Sequence, residues 1–517
     1  MRVRRRGAVV IVAVLIGGCA AGPRFKPLSP PDVERFTSAP LPPSTAAIAV
    51  PTGDAQRFLV GVEPPGRWWR LFGSDELDRR IERALERSPS VASALAALRQ
   101  AEENLLATRG GLYPSVDAKG GLSRQQTNTA PSGAANPTDT TFNLYNASVS
   151  VSYNADIFGG ARSAVEAQAA IADLQRFQLE ATYLTLASNI ATASFREALL
   201  RAQIGVLQEV ASMYGEQLRI ADKQVSLGAR AEGDLYPVRA QLASTRAQIP
   251  PLRAALEQVR TQLAVYLGRF PAQEDAPALD LDKLTLPTEI PVSLPSQLVQ
   301  QRPDVRAAEA QVHQAAAQVG VAAANLLPQI SLSASLGSQA TRSGGLLSAG
   351  SGIWSVGLGL LAPIFHGGSL QAQKRAAEAG VDKATADYQN VVLNAFKNVA
   401  DALQALQFDA DILAAQAQFL QATERSLELL RNQYRIGAAS YLQLLDSQRQ
   451  YEQSRIALIQ ARAARLADTA ALFAALGGGW WNREASMAQP SGTAQPSNMA
   501  TQSSPAHQGS RVRAEAH

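Results

Sequence analysis

Short runs in which apolar and small polar residues alternate occur twice in each half of the chain. They lie at about 115–125, 143–156, 329–340 and 353–364, and their polar positions are mostly Ser, Asn and Gly. Alternation predicts β-strands, and a run of about ten residues crosses a bilayer when it is tilted. A soluble antiparallel sheet with one wet face would alternate in the same way, but it usually carries charged residues on that face. The composition therefore favours membrane strands.

Four strands per chain are too few to close a barrel. Bacterial barrels contain at least about eight strands, and an open sheet edge is not tolerated in lipid. We therefore predict that several identical chains contribute strands to one barrel. This oligomerisation follows from the number of strands and does not depend on their exact ends.

Two long segments without proline, 160–228 and 368–437, follow the strands and are rich in Ala, Gln and Leu. In the second segment an apolar residue recurs at every seventh position from Val392 to Tyr434, and the first segment has the same register. This repeat predicts long helices that supercoil in the left-handed sense. At about 1.5 Å per residue, each helix would reach roughly 100 Å. An ordinary coiled-coil dimer would explain the helices, but not the strands between them.

The two halves of the chain carry the same landmarks in the same order. Ile157 and Ile364, in matching Ile-Phe segments, are 207 residues apart. A period of this length is too long for a solenoid and indicates a tandem duplication of one unit. The predicted boundaries are 74–268 for the first repeat, 269–295 for a linker, 296–477 for the second repeat, and 232–268 and 440–476 for the second helix of each repeat.

The N-terminus has the features of an export signal. A basic stretch from Arg2 to Arg6 precedes a short apolar run that ends at Cys19, the only cysteine of the chain. Small residues lead into this cysteine as in a bacterial lipobox, which predicts a lipoprotein signal peptide over 1–18 and a covalent lipid on Cys19. A conventional signal peptide with a chance cysteine is the alternative. We expect 19–73 to be a lipid-anchored, extended N-terminal segment.

Charge and composition exclude several classes of function. Four of the 48 basic residues lie in the signal, which leaves 44 basic against 44 acidic residues and no argument for nucleic-acid binding. Because the four histidines are scattered, they support neither a metal site nor a Ser-His-Asp set, and we expect His313 on the surface. We therefore predict no enzyme and no cofactor besides the lipid. Residues 478–517 are expected to be a disordered tail.

Three motifs point to one family. They are WWRLF at 68–72, QRPDVRAAEA at 301–310 and YRIGAASYLQLLD at 434–446. They are similar to segments of the outer-membrane factors, the TolC-like exit ducts of tripartite efflux systems, and specifically of the NodT-type lipoprotein branch. The resemblance covers roughly 19–480. The chain departs from it at His366 and at Pro250-Pro251, and the two prolines predict a kink or break in the helix at 232–268.

The resemblance implies an α+β membrane protein. Three chains would form a twelve-stranded transmembrane β-barrel that continues into a long periplasmic α-helical barrel, with an equatorial belt around its middle. The implied function is a passive duct that exports small hydrophobic or amphiphilic compounds through the bacterial outer membrane. Its implied partners are a periplasmic adaptor protein and an inner-membrane transporter of the RND type.

The resemblance also implies functional residues at the helix tips. It places a pore gate at Leu442 and Asp446, which lie four residues apart and therefore on one helix face. It places contacts that stabilise the tip at Tyr434 and Arg435. All four residues are equally compatible with ordinary helix packing or surface ion pairs. Two other functions stay open: a conduit for type I protein secretion, and a structural coiled-coil lipoprotein spacer.

Overall fold

The computed structural model describes residues 22, 25–128, 139–229, 231–273 and 277–482. The predicted signal peptide 1–18 and the predicted lipidation site Cys19 lie outside these residues. Within them, no helix is both long and apolar enough to cross a membrane. The elements in chain order are β1 Arg57–Val60, α1 Asp75–Arg87, α2 Pro89–Gly110, β2 Ser115–Asn128, β3 Asp139–Ala155, α3 Gly160–Ser226, α4 Leu235–Tyr266, β4 Glu289–Val292, α5 Pro295–Gln301, α6 Pro303–Ala324, β5 Gln329–Ala340, β6 Gly352–Leu361, α7 Ser369–Arg435 and α8 Tyr441–Ala475.

The four predicted strands form one antiparallel sheet in the order β2-β3-β5-β6. The register keeps the two faces apart: Val116, Val151, Ala334 and Val356 lie side by side in one row. A neighbouring row of serines lies on the opposite face, where Ser335 Oγ and Ser355 Oγ are 2.8 Å apart. The alternation seen in the sequence therefore continues across the whole sheet. Both β2 and β6 are edge strands.

The two long helices α3 and α7 contain 67 residues each. The seven-residue repeat places the apolar side chains of α7 in its contacts with neighbouring helices. The last repeat position, Tyr434 near the tip, is 36% exposed. The repeat positions of α7 that are buried are Val392, Val399, Leu406, Leu413 and Leu427.

Helix α4 runs without interruption through Pro250 and Pro251. Of the predicted kink or break at this point, the break is therefore wrong. Each proline removes one helical hydrogen bond, and the carbonyl groups that lose a donor belong to Arg246 and Ala247. Both of these residues are exposed, so water can replace the missing donors.

A second, two-stranded sheet was not predicted. β1 and β4 pair in parallel, from Arg57 opposite Glu289 to Val60 opposite Val292. The N-terminal segment 19–73 is therefore not extended throughout, since it ends in a strand and a buried 3-10 turn, Trp68–Phe72. The linker between the repeats supplies the other strand.

The start of the expected tail is ordered. Trp480 Nε1 donates to Gln301 O over 2.6 Å, and Trp481 Nε1 donates to the carboxylate of Glu63 over 2.8 Å. The prediction of disorder is therefore wrong for 478–482. The rest of the predicted tail lies outside the described residues.

A hydrophobic core around the middle of the long helices joins the N-terminal segment, the helices and the C-terminal part of the chain. Trp68 is 1% exposed and stacks on Phe473 with 5.6 Å between ring centroids. Arg80 and Glu197 form an ion pair at 2.8 Å with both side chains only 2% exposed. A buried charge needs such a partner, because an unpaired one would cost several kcal/mol, on the order of 3–5. This core fixes the belt region against α3 and α8.

Candidate functional site

The tip of the second helical hairpin is a short turn closed by hydrogen bonds. Gly437 has a φ of 78°, a conformation that favours glycine. Gly437 N donates to Tyr434 O over 3.1 Å and Ala438 N donates to Gln433 O over 2.8 Å, the pattern of a Schellman motif. Ser440 then caps α8, since its Oγ accepts from Gln443 N. The turn therefore has a defined geometry.

Aromatic side chains connect the two sides of this turn. The rings of Tyr434 and Tyr441 lie 5.6 Å apart, and Tyr441 Oη donates to Gln217 Oε1 of α3 over 3.2 Å. Arg435, the other predicted tip contact, donates to Asn432 of its own helix. The sequence analysis missed Tyr441 and Gln217. The only signal for Tyr441 was a second tyrosine directly after the turn.

The two predicted gate residues lie on one face of α8. The Leu442 side chain is apolar and 65% exposed. Asp446 accepts from Arg449 Nη2 over 2.6 Å and from Gln450 Nε2 over 2.7 Å. The carboxylate raises the pKa of Arg449 above its ordinary value through this hydrogen bond. The face therefore presents an exposed leucine beside an ion pair, and not a bare carboxylate.

Beyond the gate residues, α8 contributes a buried polar layer. Ser447, Gln448 and Glu452 are each at most 4% exposed. Within the described residues, Ser447 Oγ, Gln448 Oε1 and Glu452 Oε2 have no hydrogen-bond partner. Burial raises the pKa of the Glu452 carboxyl. Because unpartnered buried polar atoms cost free energy, this part of α8 is held less tightly than an apolar seam would be.

The start of the N-terminal segment packs against helix α6. Gly22 lies against Gly320 of α6 so closely that a Cβ on Gly22 would be 2.6 Å from Gly320 Cα. Further on, the Phe25 ring stacks on His313 with centroids 4.4 Å apart. His313 Nε2 is 2.8 Å from Glu166 Oε1, so this histidine is a partly covered contact residue. The described residues contain no group of three or more side chains that could hold a metal ion.

A buried arginine fastens the same segment to α8. The Arg465 guanidinium donates to Thr45 Oγ1, Thr52 O and Asp54 O over 2.8–2.9 Å. Arg465 is 0% exposed, and burial lowers its pKa. Gln56 adds a further link, because its Nε2 donates to Thr469 Oγ1 over 3.1 Å. The segment is thus held on the outside of α8 by several hydrogen bonds.

Two carboxyl groups meet between α7 and α8. Burial and a hydrogen bond with Asp468 raise the pKa of Asp409 to about 7. Asp409 is protonated through much of the pH range below neutrality, which lets the two carboxyl groups stay close. No sequence signal identified this pair, because the two residues lie on different helices.

Comparison with known proteins identifies the family. The profile described as "Outer membrane efflux protein" matches residues 80–269 and 294–478, which is most of the chain. The chain therefore belongs to the outer membrane efflux protein family. It is an efflux channel protein of the outer membrane, and its family consists of channels and not of enzymes. The predicted family and function class are confirmed.

Two relatives and one solved structure show the extent of the similarity. The pyoverdine export outer membrane protein OpmQ of Pseudomonas putida is 31% identical over 448 residues, 86% of this chain and 94% of OpmQ. A protein of Salmonella typhimurium named "Probable outer membrane lipoprotein SilC" is 27% identical over 80% of this chain and 88% of its own length. The outer-membrane channel OprN has a TM-score of 0.79 at 25% identity, and the match covers 89% of this chain and 100% of OprN. The predicted α+β channel fold is therefore confirmed.

Proposed function

We propose that three copies of this chain form a closed, passive exit duct in the outer membrane. The duct serves a tripartite efflux pump that exports small hydrophobic or amphiphilic compounds. A periplasmic adaptor protein joins its helical tip to an inner-membrane transporter of the RND type, which supplies the energy. The name of OpmQ gives pyoverdine as the exported substance, and this supports export of a compound over secretion of a protein.

The observation that carries the proposal is that sheet and helices leave the same two sides of the chain open. In the sheet, β2 and β6 each lack a second neighbour strand among the described residues. In the helical layer the order is α2-α3-α6-α7 next to the sheet and α4-α3-α8-α7 towards the tips. Head-to-tail contacts between two such open sides form a closed ring when the rotation between neighbouring copies closes. An open spacer would leave these sides uncovered.

The open sides also carry the exposed apolar side chains. Trp354 and Val356 on β6 are 77% and 76% exposed. The exposed apolar residues of the α7 side are Leu393, Phe408, Ile412, Phe419 and Leu429. Soluble surfaces rarely expose so many apolar side chains together, which supports burial against lipid and against a second copy.

The gate belongs to the same proposal. In a ring, the three copies of Leu442 would form an apolar constriction, and Asp446, paired with Arg449 of its own helix, would add a charged ring beside it. Apolar constrictions and charged rings are common ways in which pores close. The polar layer at Ser447, Gln448 and Glu452 supports a movable start of α8, since buried polar atoms without partners weaken the packing of this part of the helix.

A lipid on Cys19 anchors the N-terminus in this proposal. The naming of SilC as an outer membrane lipoprotein supports it. So does the position of Gly22, because three residues span at most about 11 Å and Cys19 therefore attaches close to the junction of α6 and the sheet. In this proposal the chain lies on the periplasmic side of the outer membrane, anchored by the lipid and with its barrel in the bilayer.

Cysteine crosslinking tests the ring directly, because the mature chain has no cysteine besides the lipidated one. Val116→Cys and Val356→Cys place thiols on the two edge strands in one row of the sheet. We expect a flexible bifunctional crosslinker to convert the double variant into covalent dimers and trimers in outer-membrane vesicles, and to leave each single variant monomeric.

The matched control places both thiols inside one chain. Val151→Cys with Ala334→Cys uses neighbouring positions of the same row, so crosslinking should leave the chain monomeric on a denaturing gel. Products larger than trimers, or monomers alone from the edge pair, would contradict a closed ring of three. Conductance of the purified protein in planar bilayers then separates a duct from a spacer.

A further inference from the structure

An apolar groove lies beside the entry point of the N-terminal segment. It runs between the last turns of α6 and the start of α7 and has a volume of about 680 Å³. Its apolar lining consists of Val319, Ala323, Leu326, Leu327 and Val381. Three charged residues also line it: Lys374 and Glu378, which form an ion pair at 3.4 Å, and Asp382. The lining therefore combines apolar and charged side chains, which suits a fatty chain with a polar end.

The groove lies where the helical part of the chain meets the sheet. α6 ends at Ala324, and β5 begins at Gln329. Leu326 and Leu327 connect the two elements and line the groove. An aliphatic ligand that enters here comes from the periplasmic surface of the bilayer, if the sheet crosses the membrane as proposed.

The chain itself leads into this groove. Gly22 forms part of its lining and lies against Gly320. A Cβ on Gly320 would be 2.5 Å from Ser163 Oγ but 3.9 Å from Gly22 Cα, so the close crossing depends on Gly22, whereas Gly320 lets α6 pack against α3. The backbone position of residue 22 is thereby fixed to the groove wall. Cys19 is three residues away and within about 11 Å of it.

An acyl chain on Cys19 could lie in the groove or in the bilayer, and its attachment close to the groove favours the groove. Burial of an acyl chain contributes roughly 0.8 kcal/mol per methylene in either place, so the apolar contacts alone favour neither strongly. An acyl chain attached three residues from the groove is present there at a high effective concentration, on the order of millimolar. Filling the groove also removes its own apolar lining from water.

We propose that one acyl chain of the lipidated Cys19 occupies this groove between α6 and α7. The inference rests on the proposed lipidation of Cys19. The lipid then does more than hold the protein at the membrane. It clamps the N-terminal segment onto the junction of the helices with the sheet, at the end of the molecule opposite the gate.

A photoreactive fatty acid tests this placement. Cells that express the full chain are fed a diazirine-bearing palmitate analogue, and the purified protein is irradiated, digested and examined by mass spectrometry. We expect crosslinks from the Cys19 lipid to peptides that contain residues 319–327 or 374–382. Ala323→Trp fills the groove and should reduce these crosslinks at least several-fold. Gln318→Trp, exposed on the same helix and outside the groove lining, should leave them unchanged.

The other outcomes overturn the inference in distinguishable ways. If Cys19 carries the analogue but crosslinks only to phospholipid or to strand residues, the acyl chain does not bind in the groove. The proposed lipidation of Cys19 is then still supported. If the groove is crosslinked equally in Cys19→Ser, its occupant is a free membrane lipid. If Cys19 in the unaltered chain carries no analogue, the proposed lipidation fails and this inference fails with it.

Discussion

At the scale of single residues, Arg465 is the clearest link between the N-terminal segment and the helices. Its guanidinium supplies hydrogen bonds to Thr45 Oγ1, Thr52 O and Asp54 O, all from a buried position. Thr52 also has a φ of 59°, which costs a residue with a β-branched side chain free energy. The contacts with Arg465 stabilise this turn against that cost.

Arg465→Met should therefore release this segment. Methionine fills the space but donates no hydrogen bond, so we expect a loss of about 3 kcal/mol from local stability. Limited trypsin digestion measures the effect as faster cleavage after Arg57, whose side chain is 63% exposed. Arg246→Met on the exposed side of α4 is the control. Equal cleavage rates in both variants would show that Arg465 does not hold the segment.

Asp446 is the residue on which the proposed gate depends. Asp446→Ala removes the acceptor for Arg449 and Gln450, so the tip should close less tightly. We expect higher single-channel conductance in planar bilayers and greater entry of large antibiotics into cells. Asp387→Ala removes a comparable exposed ion pair, with Lys383, in the part of α7 near the sheet. Unchanged conductance and antibiotic entry in Asp446→Ala would rule out the gate.

At the scale of elements, the two glycine turns end the long helices. Gly437 with φ 78° needs the left-handed conformation, whereas Gly380 lies inside α7 with open space around it. The same change to alanine should have opposite effects at these positions. Gly437→Ala should destabilise the turn by about 1 kcal/mol, and Gly380→Ala should stabilise the helix by a similar amount.

Hydrogen exchange measured by mass spectrometry can check both predictions. Peptides across 436–446 should exchange faster in Gly437→Ala. Peptides around residue 380 should exchange more slowly in Gly380→Ala. If both variants exchange like the unaltered chain, backbone conformation at these glycines does not limit the stability of the hairpin.

The carboxyl pair between α7 and α8 predicts a pH dependence. The pKa of Asp409 is about 7 in the folded chain against an ordinary value of 3.8. The folded state therefore holds the proton more tightly, and this contribution to stability is full below about pH 4 and is lost as the pH rises through 7. We expect the unfolding temperature to fall between pH 5 and pH 8.

Asp409→Asn should remove most of that slope and make the chain more stable than the unaltered one at pH 8. Thermal unfolding, followed by circular dichroism at several pH values, measures the slope of the unfolding temperature against pH. Asp401→Asn, at an exposed ion pair with Lys397, should retain the original slope. A slope that is identical in Asp409→Asn would assign the pH dependence to other groups.

At the scale of the whole molecule, the open sides decide the assembly. Phe408 on α7 is 61% exposed, on the side where we propose that the next copy packs. Phe408→Glu places a charge there, which should cost a few kcal/mol, roughly 3, when buried without a partner. We expect monomers in place of trimers on gel filtration in detergent.

Val60→Glu provides the matched control for this variant. Val60 is 63% exposed, but it lies in the small sheet β1-β4 and on neither open side. The Val60→Glu variant should remain trimeric. Trimers of equal stability in both variants would show that the α7 side is not an interface.

Periodic features were predictable because they are local. A strand places alternate side chains on opposite faces, so the pattern in β2, β3, β5 and β6 was enough to find the sheet and its two faces. The repeat of seven found α3 and α7 in the same way, and the glycines after them marked their ends. The spacing of four predicted that Leu442 and Asp446 share one face of α8, but it did not predict the pairing of Asp446 with Arg449.

Contacts between distant segments were decided only by the tertiary structure. Arg57 and Glu289, which start the β1-β4 pair, are 232 residues apart, and Arg80 and Glu197 are 117 apart. No periodicity connects such residues. They come into contact only when the helices pack, and the shape and charge of the packed surfaces determine which residues pair. The same holds for the ordered residues around Trp480, whose composition predicts disorder until Gln301 and Glu63 supply acceptors. The sequence by itself thus determined the elements and the duplication, while packing determined where the N-terminal segment, the belt and the C-terminus lie on them.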